Sequence, residues 1–364
     1  MPIVRFQGIL LLLKQNSFKG SLIPMKQQTQ IIVLAYPDTY VTLSDEWICR
    51  VLPMVGLGTR EYIKAGHAAL ILVGDQGELH YFDFGRYITP KGYGRVRSAQ
   101  TDAELRIPLR AIQDHSGRIE NLSEVLGWLD QNPDKTHGDG RLIASVCQEV
   151  DYFKARAYID ELRKRGSIPY GAFNKSGSNC SRFVADTLLA AATSARIRRR
   201  LTRNKLFTPS TVGNVEIAAT DNKMYQVQSG KIDPYLGSAL RENLKNYFDK
   251  SRPVLHRKNT SAYQDLPEGA QFLGGTGSQA WFHLDTHQLA AGIYRIRRYT
   301  PWGELDYDGV YESRTFRPER SFEFTYDSHC EYCHVYQDNQ KIFFQGKGSF
   351  AQFNSWQSRR VVGM

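Results

Sequence analysis

Ser178-Asn179-Cys180-Ser181-Arg182-Phe183-Val184 decides how this chain is read. It closes a Gly/Ser-rich loop, Lys175 to Ser178, and opens an apolar run expected to be helical over 183–192. A thiol in the first turn of a helix faces unpaired backbone N–H groups and the positive end of the macrodipole. Both favour the thiolate, which is the nucleophilic form of cysteine. Working outward, the next informative stretch lies far upstream. Gly66-His67-Ala68-Ala69-Leu70-Ile71-Leu72-Val73 sets a histidine at the head of an apolar run of buried-strand length. A cysteine opening a helix and a histidine on a strand are the minimal equipment for thiol catalysis.

Around these two stretches the pattern is mixed. Ile31 to Ala35 reads as a strand, and Gly74-Asp75-Gln76-Gly77 turns 68–73 into a hairpin running to about Phe84. Ser123 to Leu129 and Asp151 to Lys164 have helical spacing, with Gly166 suited to ending the second, and Leu240 to Phe248 is one more helix. From about Gln271 the texture is antiparallel β. The expected strands are 280–284, 293–299, 304–311, 321–326, 333–336 and 341–345, with turn chemistry at Pro301-Trp302-Gly303 and Asp338-Asn339.

The chain has 364 residues, which is long for one core, so two units are expected. The expected division is a non-core extension over 1–24, a first domain over 25–215 and a β-rich domain, a small barrel or sandwich, over 216–364. The apolar core from Gly8 to Leu13 is shorter than a signal-peptide h-region of roughly 7–15 residues, and Met25 precedes the first convincing strand. A start at Met25 implies a cytoplasmic protein; export stays open. No segment approaches the roughly 20 apolar residues of a membrane span.

Hydrophobic content of 41% and charged content of 23% describe a globular chain rather than a disordered one. Five cysteines, Cys49, Cys147, Cys180, Cys330 and Cys333, do not form a disulfide framework. Cys49 and Cys147 have apolar neighbours and read as core. The net charge of +10 is partly concentrated in Arg196 to Lys205. That run reads as a solvated helix end, and without a recognition helix or stacking aromatics it does not make the chain a nucleic-acid binder.

His67 ahead of an apolar strand and Asn179-Cys180-x-x-Phe183 downstream resemble the circularly permuted papain-like hydrolases, which include permuted NlpC-type peptidases and relatives of lecithin:retinol acyltransferase. Ordinary papain-type enzymes carry the cysteine before the histidine; the permuted ones reverse the order, as here. Tyr81-Phe82-Asp83-Phe84-Gly85-Arg86-Tyr87 is also similar to a segment of bacterial toxin-type hydrolase domains. The resemblance spans roughly 28–210. It implies an α+β fold with a permuted papain-like first domain and a site built from Cys180 as nucleophile, His67 as general base and acid, and a polar residue orienting the imidazole.

That third member is open between His80 and Asp83. A hairpin loop of Gly74 to Gln76 sets Asp83 directly opposite His67, whereas a loop of Asp75-Gln76 sets His80 on the same face. A carboxylate stabilises an imidazolium better, which favours Asp83. The reaction the resemblance implies is hydrolysis of an amide, peptide or peptidoglycan-like, or of an ester, through a thioester. No cofactor is implied, and the partner is a peptide or other amide-containing substrate. The runner-up is an inactive papain-like scaffold acting as a binding protein, for which 20 tyrosines and the β-rich half would serve as a recognition surface.

His329-Cys330-Glu331-Tyr332-Cys333-His334 competes for attention. Its C-x-x-C-H spacing is that of c-type haem attachment, and two Cys with two His could ligate zinc. Alternation along a strand keeps such neighbours from converging without a turn, so an incidental structural role is expected. Gly274-Gly275-Thr276-Gly277 lacks the lysine and helix of a phosphate cradle.

Overall fold

The structure is a computed structural model and describes residues 29–43, 52–59, 61–171, 174, 176–206, 208–251 and 266–355. The extension over 1–24, the start at Met25 and Cys49 lie outside the described residues.

An eight-stranded sheet organises the first part of the chain. Its strands are β1 (Gln30–Tyr36), β4 (His67–Val73), β5 (Leu79–Gly85), β6 (Tyr93–Arg97), β7 (Leu142–Cys147), β8 (Ile168–Pro169), β9 (Tyr225–Gln228) and β10 (Lys231–Pro234), while β2 (Val41–Thr42) and β3 (Tyr62–Ile63) pair apart from it. In space the order is β10-β9-β7-β1-β4-β5-β6-β8. The two apolar runs therefore lie side by side at the centre, β1 antiparallel to β4 from Gln30↔Val73 to Tyr36↔His67. Both strands are buried along their whole length, which is why they read as continuous apolar runs and not as alternating ones.

Helices cover one face of that sheet. Among them α3 (Tyr152–Lys164), α4 (Cys180–Ala191), α5 (Ala195–Asn204) and α6 (Thr211–Ala218) pack Ile159, Phe183, Leu188, Leu201 and Val215 against Ala68, Leu70 and Leu72. The other face is covered by α1 (Leu122–Asp130) and the segment before it, with the one-turn helix α2 (Pro133–Thr136) close by. The basic run is a helix of its own, α5, with Ile197 and Leu201 buried and its cations outward; Arg200 pairs with Glu216 at 3.4 Å. Among the described residues no helix is long and apolar enough to cross a membrane.

Strand pairing moves the expected boundary at 215/216. β9 pairs with β7 and β10 with β9, and α7 (Ala239–Tyr247) packs on α6, so the first unit runs past residue 215. We propose the boundary after α7. The remaining strands, β11 (Gln271–Leu273), β12 (Ala280–Ala290), β13 (Ile293–Tyr299), β14 (Leu305–Glu312), β15 (Glu323–Thr325), β16 (Tyr332–Gln337) and β17 (Gln340–Ser349), form a seven-stranded sheet in the order β11-β12-β13-β14-β17-β16-β15. The Gln271 side chain bridges its two edges, donating to the Phe322 carbonyl (3.1 Å) and accepting from Phe324 N–H (2.6 Å). This makes a nearly closed barrel around Phe282, Tyr294, Phe316, Phe324 and Phe344. The molecule is thus α+β with a β-rich second part.

The two parts are joined by buried polar contacts. Arg298 of β13 donates to Asp102 (3.0 Å), Glu104 (2.7 Å) and Asp306 (2.9 Å), while Arg95 of β6 grips the same Asp102 at 2.7 and 2.8 Å. The Gly274–Gly277 loop lies on the Arg86–Ile88 backbone, where a side chain on Gly275 would strike Ile88 N at 2.7 Å. Its glycines serve that close approach.

Candidate active site

Gly66 sets the direction in which His67 enters β4. Its φ of +76° and the 3.0 Å gap to both Thr211 Oγ1 and the Tyr36 carbonyl leave no room for a Cβ. His67 is then the first residue of β4, at the end of the sheet, and is buried. Cys180 is the first residue of α4. Asn179 caps that helix, its side-chain oxygen accepting from Arg182 N–H at 2.8 Å, and the first helical bond runs from Phe183 N–H to the Asn179 carbonyl. The loop-to-helix transition therefore falls where the sequence pattern put it, with the thiol in the first turn.

Cys180 and His67, 113 positions apart in the numbering (180 − 67), are neighbours in space, close enough for Cys180 to raise the His67 pKa. The ring nitrogen Nε2 lies 3.2 Å from Asp83 Oδ2. Asp83 is wholly buried and its charge is well answered. Arg97 of β6 donates to it through Nε (3.0 Å) and Nη2 (2.6 Å), and Tyr81 adds its hydroxyl at 3.1 Å. Arg97 also stacks its guanidinium over the Tyr87 ring at 3.7 Å, and the Tyr87 hydroxyl stands 3.5 Å from both His67 Nε2 and Asp83 Oδ2.

Burial alone would keep the His67 ring neutral. Hydrogen bonds to Asp83 and Cys180, with the charges of the same two groups, overcome it and push the pKa up to about 9. Burial likewise opposes ionisation of Asp83, but the Arg97 charge and the hydrogen bonds from His67 and Arg97 hold its carboxyl well below the ordinary range. The surroundings favour the imidazolium form of His67, with the Asp83 carboxylate bonded to its Nε2 and Cys180 nearby.

The hairpin register decides between Asp83 and His80. Val73 pairs with Leu79 and Ala69 with Asp83, closing the turn over Asp75-Gln76-Gly77, with Gly74 N–H bonded to the Glu78 carbonyl at 2.9 Å. Asp83 is thus two places from the directly opposite position expected for a Gly74–Gln76 loop. An even shift preserves its face. His80, paired with Leu72, stands on the other face of β5 and is not brought to His67.

Sequence reading missed five residues around this centre. Arg97 and Arg95 alternate with apolar neighbours in Tyr93-Gly94-Arg95-Val96-Arg97, and a pair of arginines on one strand face, in a sheet that is otherwise buried, was the available signal. Tyr87 and Tyr247 both lie near Cys180. His137, in left-handed conformation (φ 52°) after α2, stacks on Tyr87 with ring centroids 5.1 Å apart. Burial, then the Arg97 charge, push its pKa down to about 3, so it is neutral beside a charged His67.

The cysteine–histidine cluster of the barrel does not converge. Cys333 points into the apolar core of the barrel, while His334 is on the outside against Phe343, its ring nitrogen on the Asp327 carbonyl at 2.6 Å. Cys330 N–H bonds the Thr101 carbonyl of the first part at 3.0 Å, and burial pushes the Cys333 thiol up to about 12. Among the described residues no three His, Cys, Asp or Glu side chains are grouped to hold a metal. Cys147 is fully buried in the core.

Residues 31–197 match the model of a family described as Type VI secretion system effector TseH-like, and residues 270–347 match a DUF6695 C-terminal domain. No curated protein matches the chain. A crystal structure of the Type VI secretion system effector TseH matches with 20% sequence identity and a TM-score of 0.39, covering 57% of this chain and 98% of its own.

Proposed function

We propose that this protein is a cysteine hydrolase of permuted papain-like design that cleaves an amide bond, peptide or peptidoglycan-like. The observation carrying this reading is the sequence of partners Cys180, His67 and Asp83, with Arg97 fixing the carboxylate. The match of 31–197 to a secretion-effector family supports a hydrolase that acts after delivery.

In the reaction, the Cys180 sulfur attacks the carbonyl carbon and the oxygen takes the negative charge. The Cys180 backbone N–H, at the start of α4, is one donor for that oxyanion. His67 gives its proton to the departing nitrogen as the C–N bond breaks, leaving a thioester on Cys180. Water then attacks the thioester, His67 takes a proton from it, and the acid leaves with the sulfur restored as thiolate. Asp83 keeps the ring oriented and stabilises the imidazolium throughout, and it is not itself protonated.

Turnover of peptidoglycan fragments and small peptide amides by the wild type, followed by liquid chromatography, tests this. Cys180→Ala should abolish it with the thermal midpoint nearly unchanged. Equal turnover by that variant would end the thiol mechanism.

A further inference from the structure

β5, inside the central sheet, is paired along only part of one of its edges. On the side away from β4, β6 pairs only with Asp83 to Gly85 before the chain turns off at Ser98–Thr101. At the other end an isolated bridge joins Glu78 to Arg110. Between the two, Leu79 to Phe82 have no strand partner on that side among the described residues. The missing length is four residues, roughly 13 Å at about 3.3 Å each.

The space is a groove of about 420 Å³, and its boundaries are those of the missing segment. Ser98 to Gln100 stand at one end and Arg106 to Arg110 along the far side, with Arg156 reaching in from α3. His80, which the active site does not use, faces it too. Such a volume is in the usual range for ligand sites, about 300–1,000 Å³.

The lining is cationic. Arg156 is held over the Phe82 ring at 5.5 Å with its Nε on Asp160 at 2.8 Å, Arg110 spans Glu78 and the Gln76 carbonyl, and Arg106 is exposed with no ion pair among the described residues. Three guanidiniums face one lining carboxylate, Glu78. An unpaired strand edge recognises extended backbone, and the charge around it selects acidic side chains.

We propose that this groove binds an extended acidic peptide segment, which adds as a strand beside Leu79–Phe82 with its carboxylates on Arg106, Arg110 and Arg156. The assignment does not depend on catalysis.

The full-length Cys180→Ala protein should bind fluorescein-labelled Glu-Val-Glu-Val-Glu in an anisotropy titration, with affinity falling as salt rises. Lys-Val-Lys-Val-Lys should not bind. Arg106→Gln, an exposed change that leaves packing intact, should weaken the acidic peptide several-fold, and Arg106→Gln with Arg156→Gln at least tenfold. N-methylation at the valines and at the glutamates blocks opposite strand edges, so one version should lose at least tenfold and the other bind much as the parent does. The proposal is overturned if the acidic peptide does not bind, if the arginine variants bind it unchanged, or if both methylated peptides match the parent. Concentration-dependent self-association without peptide binding would give the groove to a second copy of the chain and overturn it equally.

Discussion

At Asp83 a single carboxylate takes hydrogen bonds from Arg97, Tyr81 and His67. Such saturation fixes its rotamer, so the ring it orients is held in one direction. The pH dependence of turnover follows. His67 must be imidazolium to protonate the leaving nitrogen, and its pKa is raised to about 9. Activity should therefore hold through neutral pH and fall as pH rises through about 9. Asp83→Asn removes one of the influences that raise that pKa, so this basic limb should move to lower pH and the rate fall by roughly 10²-fold or more. A pH–rate profile of the two proteins checks both, and an unmoved limb would count against Asp83 as the partner of His67.

At the level of elements, the Asn179 cap holds the start of α4 and with it the sulfur. Asn179→Ala should cost about 1 kcal/mol in urea unfolding. It should also slow turnover by loosening the first helical turn. The parts of the fold legible in sequence were those whose burial is purely apolar: β1, β4, α3, α4 and the barrel strands announce themselves as apolar runs or alternation. β7 escaped notice although it is apolar and buried, and other strands escaped for two physical reasons. β6 buries Arg95 and Arg97, which reads as a solvated segment until Asp83 and Asp102 are known to stand opposite. β9 and β10 are short, partly exposed strands at one end of the sheet with little apolar content. The site shows the same division. Cys180 and His67 carry local signatures, a helix start and a strand head. Choosing Asp83 over His80 needed the hairpin register, which three glycine- and aspartate-rich loop residues set and which local sequence left open by one place.

For the molecule as a whole, Arg298 is the tie between barrel and sheet. It is buried and satisfies Asp102, Glu104 and Asp306 together. Arg298→Met should leave those carboxylates under-compensated at a cost of roughly 3–5 kcal/mol. Urea unfolding followed by tryptophan fluorescence and by circular dichroism should then separate into two transitions where the wild type shows one; coincident transitions in the variant would mean that the two parts cohere without this residue.

The central claim is that a sulfur and an imidazole distant in sequence share a proton in one site. The rate of iodoacetamide alkylation at Cys180 across pH, read by mass spectrometry in the wild type and in His67→Gln, tests it most directly. The account predicts that Cys180 reacts well ahead of Cys147, Cys330 and Cys333 and that its pH profile changes when His67 is replaced. A Cys180 profile identical in the two proteins would contradict it.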